Sequence, residues 1–284
     1  MPLDSTIVGQ RIGAVTVVCD ARWLMAYAAG IPDERPELFD TTAAFVVHPL
    51  FPVAPEWELL VTHRLTPSSM HSHEVMRGVH AAHDIIIERA IRPGESIDIS
   101  ATVIAVGQRP AGATQNVLFE ATDGDGAGVW RTNLMSLFRG VELIGTPTSI
   151  EVNWPRAPAP ANTPDVVVAE RSSWVRPIDA HVYTECARIW NPIHTDVAIA
   201  HMAGLNAPIL HGTATLARAV SIITELAGAP LGKVDRVSGA FTAMIALGST
   251  LRVRLLEVSG SALHFDVFNE AGERAIRDGL VTIR

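Results

Sequence analysis

The run Asn191-Pro192-Ile193-His194 sets an amide, a rigid ring and an imidazole within four residues. An imidazole is the side chain best matched to proton transfer near neutral pH, and a positioned one typically contributes about 10² to 10⁴ in rate. Pro192 fixes φ and suits a first helical turn, so His194 follows a conformational lock. Asn191 ahead of it can cap that turn or hold a water through its amide. Eighteen residues beyond His194, Gly212 opens the apolar run "HGTATLARAVSIITELAG". The first N–H groups of a helix lack intrahelical partners and the helix dipole there favours negative charge, so Gly212 is a candidate oxyanion donor. Having no Cβ, it also lets a ligand approach closely.

These residues need elements that hold them, and the order of elements occurs twice. In the first half Asp20 is placed to cap "ARWLMAYAAG", a helix is expected in "PEWELLVTHRL", and four strand-like segments follow: "VHAAHDIIIERAI", "SIDISATVIAVGQ", "TQNVLFEAT" and "GVWRTNLMSLF". In the second half Asp179 is placed to cap "AHVYTECARI", the Gly212 helix comes next, and four strand-like segments follow again: "KVDRVSGAFTAMI", "STLRVRLLEVSG", "ALHFDVFNE" and "RAIRDGLVTIR". Gly94 and Gly248 each stand one residue before a strand that opens on a hydroxyl, Ser96 and Thr250. The stretch Gly145 to Val167 is rich in proline and small polar residues and has no period, which marks a linker. The expected division is 1–144, 145–167 and 168–284, each half an antiparallel sheet wrapped round one helix.

Asn191 to His194, followed by "TD", an Ala-rich helix and "PILHG" at Pro208 to Gly212, resembles the MaoC-like hydratase/dehydratase family, which includes the (R)-specific 2-enoyl-CoA hydratases. The first half, with "AYAAGIPDERPELFD" and "FVVHPLFPVAPEWELL", is similar to the non-catalytic copy of a double-hotdog member. The resemblance implies an α+β double hotdog and reversible addition of water to an acyl thioester, with CoA carried by the substrate and no separate cofactor. It implies His194, Asn191 and Gly212 as the catalytic set, and a first copy that shapes the acyl pocket. Ile189, Trp190, His211 and Arg188 are the expected substrate-contacting residues; Trp190 reads as a pocket wall, and Arg188 equally as a solvent-facing cation.

The family pattern also has an aspartate two residues before the asparagine, usually in a Ser-Gly-Asp run, where this chain has Ala187-Arg188-Ile189. Three readings stay open. Another carboxylate substitutes, with Glu185 and Asp196 nearest in sequence; or His194 carries both proton transfers; or the copy is a non-catalytic acyl-CoA-binding fold. A hotdog thioesterase is a further alternative.

The rest of the chain narrows the function by exclusion. A formal charge of −8 argues against a nucleic-acid partner. With 48% apolar and 18% charged residues, 284 residues build a sizeable core. Two cysteines, Cys19 and Cys186, give no disulfide framework, and the N-terminus shows no secretion signal. No apolar run approaches a membrane span, so a soluble cytoplasmic monomer or homodimer is expected. The histidines His63, His71, His73, His80 and His83 crowd one region, but no ligand set completes a tetrahedral shell and no metal is expected. His71 and His73 are expected on one face of a strand, His80 and His83 on opposite faces. "DGDGAG" reads as a turn.

Overall fold

The computed structural model describes residues 2–62, 70, 72–75, 77–160 and 167–284. The first half contains β1 (Leu3–Asp4), β2 (Arg11–Cys19), α1 (Ala21–Gly30), α2 (Val53–Thr62) and α3 (Ser72–Val75). It continues through β3 (Gly78–Ile87), β4 (Glu95–Arg109), β5 (Gly112–Asp123) and β6 (Gly128–Arg139). The short strands β7 (Leu143–Ile144) and β8 (Thr148–Ser149) follow. The second half contains β9 (Ala169–Val175), α4 (Asp179–Ala187), α5 (Val197–Met202) and α6 (Gly212–Leu226). It ends in β10 (Val234–Phe241), β11 (Ser249–Ser259), β12 (Ala262–Phe268) and β13 (Arg274–Ile283).

One sheet runs β2-β4-β5-β6-β3-β10-β13-β12-β11-β9, with neighbouring strands antiparallel. Each half therefore uses the same order of five strands, and the halves meet along β3 and β10. Ile86 lies opposite Arg236 and Ala82 opposite Ala240. The 154-residue offset between Gly94 and Gly248 carries one of these pairs onto the other, so the seam has a local twofold relation. Both glycines adopt positive φ, +85° and +71°, immediately before β4 and β11. That backbone conformation is one a side chain would resist, which explains glycine at this point in both halves.

The helix α6 is the core of the second half: every residue from Thr213 to Thr224 is buried, packed against β9, β10, β11 and β12. Its sole arginine, Arg218, is buried beside Asp179 at 2.6 Å. That pairing changes the expected role of Asp179. Rather than capping α4, it is the helix's first residue, preceded by Ile178 with no side-chain cap. Its carboxylate accepts from the Arg176 backbone at 2.9 Å and pairs with Arg218, because a buried cation on the central helix must be neutralised. Asp20 does cap α1, accepting from the Trp23 N–H at 2.9 Å.

Other expectations are corrected by local geometry. Ser72–Val75 is a helical turn, not a strand; His63 and His71 lie outside the described residues. His80 and His83 meet, Nε2 to Nδ1 at 2.9 Å. A bulge between His80 and Ala82 on the β6 side breaks strict alternation and turns the two rings together. In the linker, β8 adds to β4 at Val106 and Ala105, and Trp154 donates to Asp84 Oδ2 at 2.9 Å. The "DGDGAG" turn closes on Asp123 Oδ1, which accepts from the Asp125 and Ala127 N–H groups. No helix among the described residues is long and apolar enough to cross a membrane.

Candidate active site

Asn191 caps the single turn Pro192–His194, its Oδ1 accepting from the Ile193 N–H at 3.4 Å. That turn delivers His194 to a buried position where Nδ1 lies 2.9 Å from the Ile209 carbonyl oxygen. A carbonyl only accepts, so Nδ1 is assigned the proton and Nε2 keeps its lone pair. Burial pushes the His194 pKa down to about 4, against the opposing pull of the Ile209 carbonyl. The ring is therefore neutral, and a ready acceptor, throughout the neutral range.

His211 stacks on His194 with ring centroids 3.6 Å apart and planes 25° apart. Burial, and then the neighbouring His194, push the His211 pKa well below the usual histidine value. Two stacked cations would repel, so the pair holds at most one charge. His211 Nε2 lies 3.3 Å from Thr184 Oγ1. Its buried Nδ1 makes no hydrogen bond among the described residues, and the Ile189 backbone lies close to the ring.

His211 is also the residue from which α6 starts, so the imidazole stack and the first N–H groups of that helix share one place. Gly212 is partly exposed there. A Cβ on it would fall 3.1 Å from Phe241 Cδ1. Close approach of that aromatic wall from the end of β10 is thus a reason for glycine at this position.

Sequence reasoning missed the hydroxyls behind the stack. Tyr183 packs against His211 at 4.9 Å and donates to Thr213 Oγ1 at 3.1 Å. Its hydroxyl is 3.4 Å from that of Tyr27, which donates to the Leu50 carbonyl at 2.9 Å. Burial raises the Tyr183 pKa to about 12, so it acts as a protonated donor. The one signal for the pair was that both tyrosines occupy the same place in the two copies.

The remaining expected residues scatter. Ile189 is 4% exposed and belongs to the hydrophobic core. Trp190 is 58% exposed and lines a surface cleft of about 240 Å³ with Glu185, Thr184 and Pro192. Its indole N–H reaches Glu185 Oε2 at 3.5 Å. Arg188 ends α4 in the left-handed region, φ +59°. Its guanidinium lies over the Trp23 ring at 4.1 Å and 4.0 Å from Asp20, so its contacts tie the two halves together. Asp196 caps α5, accepting from the Ala198 and Ile199 N–H groups at 2.8 and 3.3 Å. Both nearby carboxylates thus have other occupations and are exposed.

The first copy holds a counterpart that the sequence reading did not see. At an offset of 156 residues, Tyr27, Asp33, Arg35, Pro36, Leu38 and Asp40 correspond to Tyr183, Ile189, Asn191, Pro192, His194 and Asp196. Pro36–Leu38 forms a turn of the same kind as Pro192–His194. Each copy thus carries one polar group where the other is aliphatic: Asp33 against Ile189, and His194 against Leu38. Asp33 is committed elsewhere. It pairs with Arg35 and accepts from Ser221 Oγ of α6 at 2.6 Å, while His48 Nε2 lies 3.2 Å from that hydroxyl. Despite burial, these hydrogen bonds hold its pKa below the usual carboxylate value.

Residues 159–277 match the family model described as MaoC like domain. A stretch of 132 residues, 46% of this chain, is 30% identical to peroxisomal multifunctional enzyme type 2 of Drosophila melanogaster, and covers only 21% of that protein. The whole architecture matches the crystal structure of a MaoC-like dehydratase from Phytophthora capsici, with TM-score 0.84, 20% identity and coverage of 98% and 96% of the two chains. It also matches a Mycobacterium tuberculosis protein described as having a double hotdog fold, with TM-score 0.64, 12% identity and 97% and 95% coverage. The chain has the double hotdog fold.

Proposed function

We propose that this chain is an acyl-thioester hydratase/dehydratase, adding water reversibly to a 2-enoyl-CoA or removing it from a 3-hydroxyacyl-CoA. The observation that carries this reading is the neutral His194, with Nδ1 fixed on a carbonyl, stacked against the residue from which α6 begins. In the hydration direction Nε2 takes a proton from water as the water oxygen bonds to the β carbon. The electron pair of the double bond moves through the α carbon onto the thioester oxygen, where N–H groups at the start of α6, Gly212 among them, receive it. The imidazolium then returns a proton to the α carbon as the carbonyl re-forms. One base serves both transfers, because position 189 offers no carboxyl and Glu185 and Asp196 are engaged at the surface. With its pKa near 4 the base is weak, so more of the rate must come from stabilising the enolate.

The matched segment 159–277 contains Asn191, His194 and Gly212, which supports the same reading. The first half, with Leu38 in place of a histidine, lends walls rather than chemistry. No cofactor is required beyond the CoA that the substrate brings.

Incubation with a panel of trans-2-enoyl-CoA and 3-hydroxyacyl-CoA esters, with products separated by chromatography, tests the proposal. Interconversion of the two ester classes is expected. Binding without turnover would make the chain an acyl-CoA-binding protein, and release of free CoA would make it a thioesterase.

A further inference from the structure

The β3–β10 seam has two ends, and the reaction uses only one. At that end the His80 ring, near the start of β3, packs against Phe241 at the end of β10, with ring centroids 4.9 Å apart, and Phe241 in turn covers Gly212. At the other end, where β3 finishes and β10 begins, lies a cleft of about 270 Å³. The local twofold of the seam relates the two places. The cleft is bounded by the segment leading into α2, as the candidate site is bounded by the segment leading into α6.

Its walls are apolar: Val46 and Val47 from that segment, Ile87 at the end of β3, and Val129 and Val234 across from them. Three cations also line it, but two have partners. Arg89 is paired with Glu95 and Asp123 at 2.9 Å each. Arg284 lies 3.6 Å from Asp235 and donates to the Ile87 carbonyl. Lys233 is exposed and has no ion pair among the described residues. An apolar cleft with a single unneutralised ammonium complements an apolar chain that ends in one negative charge. The phosphates of a CoA ester would call for more free cations than this one. The volume sits just under the range of about 300–1,000 Å³ usual for small-molecule pockets, which favours a short or medium chain.

We propose that this cleft is a second ligand site, one that binds a medium-chain carboxylate with its chain against Val46, Val129 and Val234 and its head on Lys233. The site is separate from His194 and has its own selectivity: an anion, not a thioester.

Octanoate, octylamine and octanoyl-CoA titrated into the protein labelled at valine and isoleucine methyl groups test this by NMR. Octanoate is expected to shift the methyl signals of Val46, Val129 and Val234 and leave those of Ile209, beside His194, unmoved. Octylamine and octanoyl-CoA should not shift the cleft signals. Lys233→Glu should weaken octanoate binding by at least about fivefold, the reversal of one exposed ion pair. Gly232→Leu should abolish binding, because a Cβ at Gly232 already reaches 3.1 Å from Val46 Cγ2 and a longer side chain would fill the cleft. Shifts centred on Ile209, equal binding of octylamine, preference for octanoyl-CoA at the cleft valines, or unchanged affinity in a folded Lys233→Glu protein would each overturn the proposal.

Discussion

In the proposed hydration His194 is the residue on which the chemistry turns, and its surroundings set when it can act. Burial lowers its pKa to about 4, so protonation disables it only in acid well below the ordinary histidine range. The expected kcat/KM profile is therefore level from about pH 6 to 8, with its acid limb near 4. An acid limb at about 6.5 would mean that an ordinary, solvated histidine does the work. At this scale the sequence marked out His194, Asn191 and Gly212 as candidates, because proline and glycine leave a spacing that can be read directly. It was silent on the His211 stack and the Tyr183 hydroxyl, which depend on packing between segments far apart in the chain. Ile189 shows the same limit from the other side. Its type told that a carboxylate was missing, but only the fold shows that the side chain lies in the core.

Among the elements, α6 joins the two halves as well as opening the site. Ser221, nine residues along it from Gly212, donates to Asp33 and lies beside His48, both from the first half. Ser221→Ala leaves two buried polar groups short of a partner and is expected to cost about 1–3 kcal/mol, read as a lowered midpoint in thermal or denaturant unfolding. Turnover of the folded variant should stay close to wild type, since the start of the helix is unchanged. An unchanged midpoint would show that the Asp33 cluster contributes nothing to joining the halves. The strands themselves were largely legible from alternation, and the turns from Gly94, Gly248 and "DGDGAG". The Asp179 cap was misread because the sequence gives no sign that Arg218, on a helix read as apolar, needs a buried carboxylate.

At the scale of the whole molecule, stability carries a pH-dependent term set by one buried carboxyl. Glu56 of α2 is buried, accepting from Trp130 Nε1 at 2.9 Å and Thr132 Oγ1 at 2.5 Å. Among the described residues its other oxygen has no hydrogen-bond partner and lies 4.0 Å from His83 Nε2, which also has none. Burial pushes the Glu56 pKa up to about 8, and those two donors only partly oppose it. Between about 4.5 and 8 the unfolded chain has released this proton while the folded chain keeps it, so this term favours unfolding as pH rises. His194 works in the opposite sense. Its pKa is depressed, so its contribution grows with pH from about 4 and is complete by 6.5. Above 6.5 the Glu56 term stands without that compensation. Stability should fall between pH 6.5 and 8, and Glu56→Gln should remove most of that slope in denaturant titrations. The same slope in both proteins would contradict a neutral buried Glu56. The duplication and its two central helices could be read from the repeated order of elements. The seam could not, because which strands meet is decided by closure of the sheet, and neither β3 nor β10 marks itself as a partner.

The proposed hydration requires His194 to be both its acid and its base. Its most direct test compares wild type with His194→Ala on a short trans-2-enoyl-CoA, following loss of the conjugated thioester absorbance, with a thermal melt to confirm folding. A folded variant slowed by about 10² or more is expected, as for removal of a positioned general base. A folded variant that keeps more than about a tenth of the wild-type rate would contradict it.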